Sequence, residues 1–237
     1  LNLREGIKTG IKSALFFLVA MAVVLVLIPI FMYSALPMPP GTNVKATPVN
    51  TPSGDIRLLI DDTAWDPNAG NRVIKQEIFD EILAMIDRAD QFIYLDLFLW
   101  NPWQGTVPED HRQLASELAA MLIKKKGSMQ DMDILVLSDP INRIYGKHEP
   151  GFFRELSTAG IPVVFTDLDR LPDSNLIYAP YWSLIEKLLN FPVLLQWSIR
   201  PRFANPFDPE GPRISALQLG RMIRFKANHR KVVISGS

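Results

Sequence analysis

Near its C-terminal end the 237-residue chain reads "ANHRKVVISGS", from Ala227 to Ser237. Val232, Val233 and Ile234 form an apolar run that predicts a buried strand. Side chains alternate faces along a strand, so His229 and Lys231 should point the same way and Arg230 the other. An imidazole beside an ammonium can move a proton or attack an electrophile while the cation holds an anionic oxygen. The plainer reading is that the pair decorates a strand edge. The other two histidines offer less: His111 sits in "EDHRQL", a helical surface context, and His148 in "HEP", ahead of a helix. No two of the three histidines have metal-ligand spacing, and the chain has no cysteine. The sequence therefore gives no ground for a zinc site, and thiolate catalysis and disulfides are excluded.

Asp96 is the second residue of interest. A carboxylate inside "IYLDLFLW" is costly to bury unless it is paired or hydrogen-bonded. It either orients the histidine or lysine or caps the strand's exposed edge, and the sequence leaves both readings open. Charge adds a regional signal. The chain is neutral overall, yet beyond residue 199 eight basic residues (Arg200, Arg202, Arg213, Arg221, Arg224, Lys226, Arg230 and Lys231) face only Asp208 and Glu210. Such a cluster, ending at the His-x-Lys pair, suits an anionic phosphate. For Arg200 to Arg213 a solvated basic face is the preferred reading.

The elements that must position these residues begin with a membrane anchor. Ala14 to Leu36, "ALFFLVAMAVVLVLIPIFMYSAL", carries no charge. About 20 apolar residues cross a bilayer, whereas a signal peptide's apolar core runs to about 7–15. Arg4, Lys8 and Lys12 precede the run and only Lys45 lies close behind it. That bias predicts a single-pass protein with residues 1–13 in the cytoplasm and the remainder, with the domain that carries His229 and Lys231, on the outer face. Residues 37–54, rich in Pro, Thr and Gly, read as a tether.

From residue 55 onward strands and helices alternate. "IRLLI" (56–60), "FIYLDLFLW" (92–100), "DILVL" (133–137) and "IPVVFTDL" (161–168) read as strands. Val73, Ile74, Ile78, Phe79, Ile82, Leu83 and Ile86 recur at helical spacing. Further helices are read over 110–126, its basic end followed by Gly127, and over the stretch that Gly160 stops. The expected fold class is a layered α/β domain with a mixed or parallel sheet flanked by helices, behind the transmembrane helix. Residues 175–207 differ in kind, being aromatic and apolar but broken by four prolines. They are either ordinary core or an interfacial segment leaning on lipid headgroups.

"NHRKVVI", set after a basic approach and before an apolar strand, resembles the phospholipase D superfamily, in particular its cardiolipin synthase-like branch, whose signature is H-x-K-x-x-x-x-D. The resemblance runs over residues 55–237, through "IRLLIDD", "DQFIYLDLFLW" and "GFFRELSTAGIPVVFTDL". It implies a phospholipase D-like fold, His229 and Lys231 as catalytic residues, Asn228 and Asp96 as supporting or substrate-binding residues, no metal and no cofactor. It further implies a membrane-bound phosphodiesterase or phosphatidyltransferase acting on phospholipids through a covalent phospho-histidine. Two departures stand out. Gly236 occupies the Asp position of the signature, and a second H-x-K motif is absent from the sequence. The second motif is expected from a missing C-terminal half, the present chain then being a truncated first half, or from a second copy. Two other readings stay open: a nuclease of the same superfamily, with nucleic acid the less favoured partner, and a degenerate, non-catalytic member.

Overall fold

The computed structural model describes residues 3–42, 45–103, 112–146, 148–173, 175–176 and 178–236, with side chains from residue 7 onward. His111, the start of the helix read from Asp110, and the side chain of Arg4 lie outside these. In chain order the elements are α1 (Leu3–Ser34), β1 (Asp61–Asp66), β2 (Asn71–Gln76), α2 (Glu77–Arg88) and β3 (Phe92–Leu97). Then come α3 (Leu114–Ser128), β4 (Asp133–Ser138), α4 (Gly151–Thr158) and β5 (Val163–Phe165). Helices α5 (Ala179–Leu189), α6 (Pro192–Ser198) and α7 (Ala216–Arg224) precede the last strand, β6 (Lys231–Gly236).

The chain is mixed α/β and forms two compact units. One comprises residues 44–166, 204–212 and 227–237. Its sheet is ordered β5-β4-β3-β6, parallel from β5 to β3, with β6 antiparallel to β3. Alternate residues of β3 and β4, namely Ile93, Leu95, Ile134 and Val136, point into a core shared with Ile86, Leu118, Leu122, Phe153 and Leu156. Helices α2, α3 and α4 supply those partners and so cover one face. Each such side chain contributes about 1.5–3 kcal/mol on burial. Gly160, at φ 78°, turns the chain out of α4 in a left-handed conformation that suits a residue without a Cβ.

Three local expectations change. Residues 56–60 form no strand. The strands lie one step later, as the hairpin β1–β2. Its turn is set by Asp66, whose Oδ1 accepts the N–H groups of Asn68 and Ala69, and by Gly70 at φ 63°. Val73 and Ile74 consequently belong to β2, and α2 begins at Glu77. The remaining apolar residues, from Ile78 to Ile86, keep the helical spacing and face the core. Lastly, β6 is half open rather than buried. Val233 packs on the core, while Val232 and Ile234 are exposed on the face that α2–α4 leave free.

The other unit comprises residues 1–43, 167–203 and 213–226. Helix α1 is long and apolar enough to span a membrane over Ile7–Ser34, and very little of it is buried within the protein. The buried part is a stripe at its C-terminal end: Tyr33 is 5% exposed and Pro29 is buried. Against it packs α5, whose Tyr181 hydroxyl donates to the Val26 carbonyl (3.0 Å). Lys187 Nζ lies 4.8 Å from the Tyr33 ring centre. Helix α7 packs on α5 and starts at a reciprocal cap. Ser215 Oγ accepts the Gln218 N–H, and the Gln218 side chain accepts the Ser215 N–H.

Candidate active site

Because β6 runs antiparallel to β3, its beginning lies beside the end of β3, at the carboxyl edge of the three parallel strands. That edge is where open α/β sheets gather ligand-binding groups. The first residue of β6, Lys231, pairs with the last of β3, Leu97, and the Phe98 N–H donates to the Arg230 carbonyl at 2.8 Å. The alternation read from the sequence appears here as geometry. Lys231 Nζ lies 2.9 Å from His229 Nδ1 and 3.0 Å from the His229 carbonyl oxygen. Both groups are solvent-exposed and share the Phe98 ring, 4.6 Å from the imidazole centre and 4.9 Å from the ammonium.

A lysine donating to Nδ1 leaves a neutral imidazole with its proton on Nε2. In that state His229 offers a proton at its outer nitrogen. Attack through Nε2 requires the lysine to release Nδ1 and the proton to change nitrogen. Either role is open to the ring, and the lysine contact selects between them.

The residues flanking the pair are fixed from the opposite face. Asn228 Nδ2 donates to Asp96 Oδ1 (2.8 Å) and to Thr166 Oγ1 (3.0 Å), and its N–H donates to Asp139 Oδ2 (2.7 Å). Arg230 Nη1 stands 3.6 Å from Asp96 Oδ2. Asp96 thus engages the neighbours of His229 on both sides, and in register it stands opposite Val232, on the face away from Lys231.

Sequence reasoning passed over the polar network beneath this arrangement. Asn142 is fully buried. It accepts from the Trp100 N–H (2.9 Å) and donates to the Phe98 carbonyl (2.7 Å) and Ser138 Oγ (2.9 Å), tying the ends of β3 and β4 together. Asp139, also buried, accepts from the N–H of Ile141 and of Asn228, so one carboxylate anchors both the turn after β4 and the approach to β6. Burial pushes the Asp139 carboxyl above the ordinary carboxylate range, against the pull of those two donors. The signal lay in "SDPIN" directly after a strand, a cluster of turn-forming polar residues where a parallel strand ends.

Lys231 also lines a cavity of 570 Å³. Its other walls are mostly apolar: Phe79, Ile82, Leu97, Leu99, Leu118 and Val233 among them. Asp61 and Lys231 are its charged lining residues, and a cation beside so much apolar surface suits a ligand with an anionic head and a hydrocarbon body.

Other residues singled out from the sequence lie elsewhere. His148 sits in the loop before α4, its ring 6.3 Å from Trp103. Arg221, Arg224 and Lys226, counted above toward an anion-attracting cluster, belong to the α1-containing unit and are paired with acids there. Arg224 bonds Glu186 (3.1 Å), Asp173 (3.3 Å) and Asp169 (3.0 Å), Arg221 bonds Glu186 (2.6 Å), and Lys226 stands 3.1 Å from Asp173. Burial, then the neighbouring Arg224, lowers the Lys226 pKa, with Asp173 opposing. With Arg230 beside Asp96, four of the eight basic residues after residue 199 are thus paired with acids of the same unit. At position 236, where the H-x-K-x-x-x-x-D signature would have Asp, a Cβ would fall 2.5 Å from Phe92 Cε1, so the present packing has no room for a side chain there. Compared with protein-family models, with curated proteins and with solved structures, the chain matches none.

Proposed function

We propose that the chain is part of a membrane-anchored phospholipase D-type enzyme, a phosphodiesterase or phosphatidyltransferase acting on phospholipids, with His229 and Lys231 as one half of its catalytic machinery. The observation that carries this reading is the contact between His229 and Lys231 at the carboxyl edge of the sheet, the lysine lining an apolar cavity. The N-terminal apolar helix supports a lipid substrate over a soluble one.

In the proposed reaction one imidazole nitrogen attacks phosphorus. A P–N bond forms and the P–O bond to the leaving alcohol breaks, while a second imidazole gives that oxygen its proton. The second imidazole then takes a proton from water or from an acceptor alcohol. The resulting oxygen attacks phosphorus and the P–N bond breaks, giving hydrolysis or transfer. Lys231 neutralises charge building on the phosphoryl oxygens, which matters most in the transition state. His229 is assigned the nucleophilic role. As the phosphate arrives, its oxygens compete for Lys231, which frees Nδ1 to carry the proton that attack through Nε2 requires. The second His-Lys pair comes from a further part of the polypeptide or from a second copy.

The test is product analysis. The membrane-embedded protein is given headgroup-labelled phosphatidylglycerol, with and without ethanol. Headgroup release, with phosphatidylethanol formed when ethanol is present, is the expected result, because a covalent intermediate partitions between water and alcohol. Cleavage of a DNA oligonucleotide with no lipid product would favour the nuclease reading. Turnover of neither would leave a non-catalytic protein.

A further inference from the structure

Depth along α1 can be read from its contacts. The chain is uncharged from Ser13 to Val44, and Lys12 is the last cation before the apolar run. With Lys12 at one boundary, a hydrocarbon core of about 30 Å takes up about 20 residues and ends near Met32. Tyr33 then lies at the far boundary and Val26 about 9 Å inside it, at about 1.5 Å per residue.

Two bonds tie the surrounding protein to these levels. The Asp173 N–H donates to the Tyr33 carbonyl at 2.9 Å, which puts the buried charge cluster of Asp173, Arg224 and Lys226 at the boundary. The Tyr181 hydroxyl donates to the Val26 carbonyl at 3.0 Å, which puts the outer end of that side chain inside the boundary. Tyr178, just ahead of α5, and Phe225, which follows Arg224 in sequence, hold their rings 6.3 Å apart and edge-to-face. Phe225 is 73% exposed and Leu176 is 55% exposed. Tyr181 thus reaches α1 at the level where it is in lipid, in a unit that also exposes Phe225 and Leu176, and the ionic groups around Asp173 are collected at the level where α1 leaves.

We propose that this end of the unit, carrying Leu176, Tyr178, Tyr181 and Phe225, is embedded in the lipid leaflet on the C-terminal side of the span, so that the protein holds the membrane by a second, monotopic contact beside its helix. The occupant of the exposed apolar surface is lipid, because Tyr181 within it is joined to α1 by a hydrogen bond below the boundary. The tyrosines suit the depth: their rings stay in the apolar zone while the Tyr181 hydroxyl finds a backbone acceptor. The inference rests on α1 being the membrane span and is independent of the catalytic proposal.

The chain has no cysteine, so single labels are unambiguous. Phe225→Cys, Val24→Cys in the span and Val49→Cys in the tether, 84% exposed, are each labelled with a polarity-sensitive fluorophore. The full chain is then placed in vesicles of phosphatidylethanolamine and phosphatidylglycerol. The label at 225 is expected to behave like that at 24: blue-shifted, quenched by lipids carrying a nitroxide on the acyl chain, and protected from aqueous iodide. A label at 225 as open to iodide as that at 49 overturns the proposal. Iodide access at 24 overturns its premise and the proposal with it. Activity enters neither readout, so failure here and failure of the catalytic reading are separable.

Discussion

Lys231 and His229 meet through one short contact, and the chemistry ascribed to them depends on its direction. Where Lys231 donates to Nδ1, a neutral imidazole carries its proton on Nε2; where the lysine turns to a phosphate, Nδ1 is open to that proton. Lys231→Met should therefore damage turnover far more than binding, seen as a fall in kcat with a smaller change in KM. Asn228 ties the approach to β6 to Asp96 and Thr166. Asn228→Ala removes two side-chain hydrogen bonds and leaves Asp96 without one of its donors. A loss of about 1–3 kcal/mol in unfolding free energy is expected, checked by thermal melts in detergent. Asp139 gives a pH signature. Its carboxyl is raised by burial, so the folded protein binds that proton more tightly than the unfolded chain. Stability should fall as pH rises from the ordinary carboxylate range through the raised value, the cost being complete above it. Asp139→Asn should flatten that part of the melting profile while losing one accepted hydrogen bond.

At the scale of elements, alternation and spacing in the sequence located β3, β4 and α4 closely, because each buries one face against a core and the pattern records that face. The hairpin β1–β2 escaped because its apolar residues are exposed, so Val73 and Ile74 carried no information about which period to apply. The pairing of His229 with Lys231 was legible, since strand alternation dictates it. The roles of Asp139, Asn142 and Phe98 were not, since they depend on which strand ends are neighbours, a tertiary fact. The same holds for the charge cluster between α5 and α7, where basic residues grouped in sequence find acids 35 to 55 residues away. Asp173→Ala removes a fully buried carboxylate from beside Arg224 and Lys226. A cost of about 3–5 kcal/mol is expected, part of it recovered by adding Lys226→Met, as a double-mutant cycle would show. Gly236→Ala forces the Phe92 ring to move and is expected to cost about 1–3 kcal/mol, relieved by Phe92→Leu.

For the whole molecule, the proposed two-step reaction takes two His-Lys pairs and the sequence holds one. The active species extracted from membranes should therefore be either a polypeptide about twice the mass of this chain or a dimer. Full activity from a monomer of this mass would rule out the two-pair mechanism. Native mass spectrometry from detergent decides between them. The most direct measurement of the central claim is the rate of headgroup release from phosphatidylglycerol by the wild-type protein and by His229→Ala, in the same vesicles and at matched amounts of folded protein. A fall of about 10³-fold or more is expected if His229 attacks phosphorus or moves the leaving group's proton. Equal rates in the two proteins would contradict a catalytic role for the pair.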